Sequence, residues 1–136
     1  MNAEATVETY YDVLRNEQPL APFFAREETT VKFGIGERLS GYQDIEAGLS
    51  SQTATTTDWE IDSSRLLVTE RSDFAWFSDD VSMAWTDLEA DTRYAFDTRW
   101  SGTLHRRPGE PWNGEADSET PWRFVGMHVS TPGGTQ

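Results

Sequence analysis

Apolar residues recur at helical spacing near the start of the chain: Val7, Tyr10, Tyr11 and Leu14 fall at i, i+3, i+4 and i+7. This spacing predicts an amphipathic helix over residues 3 to 16. Asn2 is placed to cap it, Glu4 sits beside the positive end of its dipole and Arg15 beside the negative end. Asn16-Glu17-Gln18-Pro19 stops it, and Pro19 suits the opening of a short second helix, Pro19 to Ala25, carrying Leu20, Phe23 and Phe24. Thr29 to Gly34 reads as a strand with Val31 and Phe33 on one face. Gly34-Ile35-Gly36 then turns the chain into a short strand at Glu37 to Leu39. Ser40-Gly41-Tyr42-Gln43 has the form of a capping box, with Ser at the cap and Gln three residues on. A third helix follows with Tyr42, Ile45 and Leu49 inward, ended by the polar run Ser50 to Thr57.

Beyond that run the period changes to two. Trp59 to Thr69 reads as a long strand, broken in its alternation near Ser63-Ser64. Phe74 to Ser78 is a second, Asp79-Asp80 a turn or bulge, and Val81 to Leu88 a third with Val81, Met83 and Trp85 on one face. Thr92 to Arg107 alternates most cleanly: Tyr94, Phe96, Trp100 and Leu104 share one face, Arg93, Asp97, Arg99, Thr103 and His105 the other. Pro108 to Thr120, rich in Gly, Pro and acids, is a long hairpin loop. Trp122 to Ser130 is the last strand, and the tail from Thr131 is expected to fray. Helices first and long antiparallel strands after them predict an α+β fold with the helices on one face of a sheet. The 136 residues suffice for one domain, with a core of about 3 to 131.

Composition sharpens this picture through charge. Twenty-four acids face eleven bases, a net charge of -13, and of the bases only Lys32 is a lysine. Acid excess with near-absence of lysine and no cysteine is expected of a protein adapted to molar salt, where the Debye length of roughly 3 Å lets surface acids crowd together. The alternative is an acidic domain that takes a basic partner. Nucleic-acid binding is disfavoured because no basic stripe exists. With no Cys, thiol catalysis, disulfides and thiolate metal sites are excluded. No apolar run approaches the length of a membrane span, and the first residues lack a basic and apolar leader, so the expectation is a cytoplasmic protein.

Candidate chemistry is sparse. His105 and His128 are isolated, too few for a transition-metal site and better read as structural. Asp79-Asp80 has the chemistry for a hard cation but reads first as a solvated acidic turn. Gly34-Ile35-Gly36 does not continue as a dinucleotide fingerprint, because Leu39 stands where the third Gly belongs. No metal, cofactor or catalytic residue is assigned.

The order of elements, together with Asp73-Phe-Ala-Trp-Phe77, Leu104-His-Arg-Arg107 and Trp122-Arg-Phe-Val-Gly-Met-His-Val-Ser130, resembles the nuclear-transport-factor-2-like superfamily. Within it the chain is most similar to SnoaL-like domains and to the association domain of calcium/calmodulin-dependent kinases. The resemblance implies a cone: a curved, mixed or antiparallel sheet wrapped over three N-terminal helices, with a pocket inside and a homodimer formed through the outer sheet face. It places Tyr10, Phe33, Asp80, Thr98, Trp100, Gly102, Met127 and Val129 at the pocket. On the last strand it turns Val125, Met127 and Val129 inward and Trp122, Phe124, His128 and Ser130 outward. Trp122, Phe124 and His128 then become the dimer contact. Ketosteroid isomerases of this superfamily use a helix Tyr, matched by Tyr10, and two carboxylates. Phe33 and Gly102 stand at the carboxylate positions, so that mechanism is not implied. The kinase association domains carry inward arginines, and the matching positions Gly102, Val129 and Asp80 are not basic. What remains is an apolar, aromatic pocket for a small, mostly apolar molecule, in a domain without catalysis. Two alternatives stand beside it: a cyclase, isomerase or hydratase using Tyr10 or an inward Asp80, and a module that assembles other proteins. The pocket positions are equally compatible with a cone filled by its own side chains.

Overall fold

The computed structural model describes residues 1–132, so the expected frayed tail lies, from residue 133 on, outside the described residues. Helix α1, Ala3–Arg15, forms as its spacing predicts. The Asn2 side chain accepts from the Ala5 amide at 2.7 Å, and Thr6, Val7, Tyr10, Tyr11 and Leu14 are buried. The segment after it is a single 3-10 turn, Ala21–Phe23, rather than a second α-helix. Its backbone runs straight into a bridge between Phe24 and Phe124, where the Ala25 amide donates to the Phe124 carbonyl at 2.9 Å.

Strands β1 (Val31–Gly34) and β2 (Glu37–Ser40) form a hairpin, and α2 (Tyr42–Thr55) follows. The expected capping box does not form. Gly41 takes the N-cap position at φ +88°, a conformation that favours glycine. Its amide donates to the Thr30 carbonyl at 2.7 Å, and the Tyr42 amide to the Glu27 carbonyl at 3.1 Å. The preceding loop thus satisfies donors that a Ser40 hydroxyl would otherwise serve.

The remaining strands are β3 (Thr56–Ser63), β4 (Leu67–Glu70), β5 (Phe74–Asp87), β6 (Thr92–Arg106) and β7 (Trp122–Ser130). Seven strands make one curved, unclosed, mixed sheet in the order β2-β1-β7-β6-β5-β3, with β4 also on β5. Among the strand pairs of the described residues only β1–β7 is parallel, and the Phe24–Phe124 bridge beside it is parallel too. The long strand expected from Trp59 to Thr69 divides into β3 and β4, both on β5. Conversely, the turn expected at Asp79-Asp80 is absent: β5 runs unbroken beside β6 from Phe74 to Asp87. The alternation Ala75, Phe77, Asp79, Val81 shows why, because Asp79 occupies an inward position of a regular strand.

The last strand carries the largest correction. Thr103 pairs with Gly126 but Leu104 pairs with Phe124, so Val125 is an extra residue in a bulge. A one-residue insertion reverses which side chains face the core. Met127 and Val129 point inward as expected, whereas Trp122 and Phe124, expected outward, are buried at 3% and 0% exposure. Val125 is half-buried instead of inward.

The 108–120 loop packs on the 3-10 turn and the start of β7. Trp112 meets Phe23 edge-on at 5.1 Å, and the Arg123 guanidinium lies over the Trp112 ring at 5.0 Å. Arg123 is buried without a carboxylate partner among the described residues and donates instead to the carbonyls of Thr120, Trp122 and Glu110. No residue of this loop lines the cavity described next.

Candidate functional site: an aromatic cavity with one lysine

Between α1, α2, the β1–β2 hairpin and the sheet lies an open cavity of about 450 Å³. One wall is aromatic. Trp59 and Trp85 stack at 4.9 Å with their planes 14° apart, and Trp85 continues to Tyr94 and Phe96, each at 5.6 Å. The alternation of β6 produces this wall, since Tyr94, Phe96 and Trp100 share its concave face. The facing rim, on α2, is polar: Ser51, Gln52 and Thr55.

Of the pocket residues expected from sequence, Tyr10, Trp100 and Val129 line this cavity. Thr98 and Met127 are buried nearby. The Thr98 hydroxyl donates to the Val81 carbonyl at 2.6 Å and accepts from the Trp100 indole at 2.9 Å, which fixes that ring. Gly102 opens onto no space: a Cβ there would lie 2.5 Å from the Gly126 carbonyl oxygen, so its role is close strand approach.

Two expected positions are corrected outright. Phe33 points to the outer face, where its ring stands 5.7 Å from that of exposed His128. Asp80 is exposed, and the inward acid is Asp79. Asp79 accepts from the Tyr11 hydroxyl at 2.8 Å, the Ser63 hydroxyl at 2.6 Å and the Arg65 amide at 3.0 Å. Among the described residues no three His, Cys, Asp or Glu side chains group to hold a metal ion.

The reversed phase of β1 has a chemical consequence. With Phe33 outward, Lys32 is inward, beside Met127 of β7, at 6% exposure. The chain's single lysine therefore lines the cavity. Its Nζ donates to Glu37 Oε1 at 2.9 Å across the hairpin. Alternation identified two faces of β1 but not which was inner, and assigning the apolar residue inward missed the lysine. The readable signal was the charge pair Lys32 and Glu37 flanking Gly34-Ile35-Gly36.

Tyr10 completes the site. Its ring is held edge-on by Phe23, Phe24, Phe124 and Trp100 at 5.2 to 6.2 Å. Burial, assisted by the Glu37 charge, drives its hydroxyl pKa far above the ordinary tyrosine value, so it stays a proton donor. Among the described residues this hydroxyl has no hydrogen-bond partner.

The family model for the SnoaL-like domain matches residues 3–133. The chain belongs to the SnoaL-like domain family. Solved structures agree on the fold. A nuclear transport factor 2-like superfamily protein from Salmonella enterica serovar Typhimurium is 15% identical at a TM-score of 0.76, covering 97% of this chain and 89% of that one. A provisionally named calcium/calmodulin dependent protein kinase II association domain from Xanthomonas campestris is 15% identical at 0.72, covering 97% and 86%. A ketosteroid isomerase-like protein from Erwinia carotovora is 12% identical at 0.70, covering 96% and 94%. No curated protein matches the chain. These likenesses show the fold, while the chemistry of a SnoaL-like domain has to be argued from its site. No helix among the described residues is long and apolar enough to cross a membrane.

Proposed function

We propose that this SnoaL-like domain binds a flat, mostly apolar small molecule in the aromatic cavity. The observation that carries the reading is the open space itself. Bulky side chains were available to fill the cone, yet Trp59, Trp85, Tyr94 and Phe96 form a wall beside about 450 Å³ of free volume. Cavities of 300 to 1,000 Å³ lined by aromatics with few polar points are typical of small-molecule sites. The reading is tested by a thermal-shift screen in molar potassium chloride with steroids, aromatic polyketides, fatty acids and small carboxylic acids. A ligand at 100 times its Kd adds roughly 2.7 kcal/mol of stability. Upward shifts with the flat ring compounds support the reading, and a panel without any shift removes it.

Acid–base catalysis has weaker support. Among the described residues the carboxylate lining the cavity is Glu37, held by Lys32, and the inward carboxylate of Asp79 is occupied by three donors of the protein itself. A homodimer through the outer sheet face is proposed on a separate observation: Leu67, Phe74 and Trp76 stand 48% to 61% exposed on neighbouring strands β4 and β5. With Trp122 and Phe124 buried, His128 is the one expected contact still on that face. Light scattering in molar salt reads the dimer directly, and a monomer there ends that proposal. The charge of -13 supports a salt-adapted protein, whose unfolding midpoint rises with potassium chloride.

A further inference from the structure

We propose that the compound taken by this cavity is an aromatic carboxylate, whose carboxylate replaces Glu37 on the Lys32 ammonium while its ring lies along the Trp59–Trp85 wall. The proposal rests on the cavity being a ligand site and adds the ligand's charge and the residue that reads it.

Two buried side chains that line the cavity carry donors short of acceptors. A lysine ammonium has three N–H groups, and the Lys32 side chain, only 8% exposed, has one acceptor among the described residues, Glu37 Oε1. The Tyr10 hydroxyl, buried at 1% exposure on the same cavity, has none. Buried donors without acceptors are costly, and hydrogen bonds to a charged partner recover the most. A carboxylate with two oxygens satisfies such a set.

The existing partner is built to leave. Glu37 is 42% exposed at the start of β2, and its carboxyl group reaches Lys32 by folding over Gly34. A Cβ on Gly34 would lie 2.6 Å from Glu37 Oε1, so the glycine supplies the space for that reach. Exchanging Glu37 for a ligand carboxylate keeps Lys32 paired, as a buried ammonium requires, and returns Glu37 to water. A neutral ligand cannot take over that pairing. The remainder of the site selects planarity: Trp59 and Trp85 offer stacked faces 14° from parallel, continued by Tyr94 and Phe96.

The test uses isothermal titration of 2-naphthoate and its neutral analogue 2-acetylnaphthalene, in salt that keeps the protein folded. Wild type, Lys32→Met and Glu37→Gln are compared. The expected result is about tenfold tighter binding of naphthoate than of the ketone to wild type. Lys32→Met abolishes that preference and leaves ketone binding in place. Glu37→Gln removes the competing carboxylate and tightens naphthoate binding by about tenfold. Glu37 is half-exposed, so its variant keeps the test decisive even if Lys32→Met fails to fold. Equal affinity for both compounds, unmoved in Glu37→Gln, overturns the proposal and leaves the cavity reading standing. Binding of neither compound to any of the three proteins overturns both.

Discussion

Tyr10 and Tyr11 are consecutive on α1 and almost equally buried, at 1% and 2% exposure, yet their hydroxyls meet opposite surroundings. Tyr11 donates to Asp79, a carboxylate that also holds Ser63 and Arg65, so every group there has its partner within the protein. Tyr10 lines a cavity with Lys32 and Glu37, and its hydroxyl donates to nothing among the described residues. The first arrangement is what a fold needs where sheet and helix close on each other: a buried carboxylate with its donors complete. The second leaves donors open at a space large enough for a guest. The contrast separates the part of the interior that holds the fold together from the part that awaits a ligand.

The larger loss is expected around Asp79. Replacing Asp79 with Ala strands the Tyr11 hydroxyl, the Ser63 hydroxyl and the Arg65 amide without their acceptor. Tyr11 is buried while Ser63 and Arg65 are exposed and turn to water, so the expected loss is that of one stranded buried donor plus two weaker bonds, about 3 kcal/mol, read as a fall of roughly 10 °C in Tm. A variant that melts with the wild type contradicts the structural role given to Asp79.

A smaller effect separates the two tyrosines themselves. Tyr11→Phe removes a hydrogen bond to a charged group and is expected to cost about 1.5 to 3 kcal/mol. Tyr10→Phe removes a hydroxyl without a protein partner and is expected to move stability by less than about 0.5 kcal/mol. Urea unfolding of the two variants gives both numbers. Equal losses would mean that Tyr10 has a partner the account does not contain.

Alkaline pH sharpens the same contrast more gently. Burial raises the pKa of both tyrosines, and the bond to Asp79 raises Tyr11 further. Below about pH 10, the unfolded value, folded and unfolded chains both carry these protons and the contribution to stability is complete. Above it the unfolded chain releases them while the folded chain keeps them, so stability falls. The expected slope is about 1.4 kcal/mol per pH unit for each such tyrosine. Denaturant midpoints between pH 9 and 11.5 should therefore drop less steeply in the Tyr10→Phe/Tyr11→Phe double variant. Parallel curves would contradict the assignment.

Much of this architecture was legible in the chain because it depends on periodicity. The 3.6-residue spacing of Val7, Tyr10, Tyr11 and Leu14 and the alternation through Tyr94, Phe96, Trp100 and Leu104 each place residues on one face, and the structure keeps them there. The illegible parts all turn on information that periodicity lacks. The Val125 bulge is set by pairing between β6 and β7, and it alone turned Trp122 and Phe124 inward. Asp79-Asp80 looked like a turn because two acids disfavour a buried strand, until Tyr11, Ser63 and Arg65 supply the donors that make Asp79 acceptable inside. Of the expected pocket positions, Tyr10, Trp100 and Val129 line the candidate cavity, whereas Lys32 was not expected there, because a buried charge becomes credible only once Glu37 is seen across the hairpin.

The six tryptophans report directly on whether the aromatic wall borders a space that takes a ligand. Trp59, Trp85 and Trp100 line the cavity, Trp76 stands on the outer face, Trp122 is buried and Trp112, in the 108–120 loop, packs on Phe23. Their indole N–H signals in a 15N-labelled sample are to be followed while 2-naphthoate is added. The account predicts that the signals of Trp59, Trp85 and Trp100 move together and saturate, with Trp76, Trp112 and Trp122 still. Movement confined to Trp76, or none at any of the six, would contradict it.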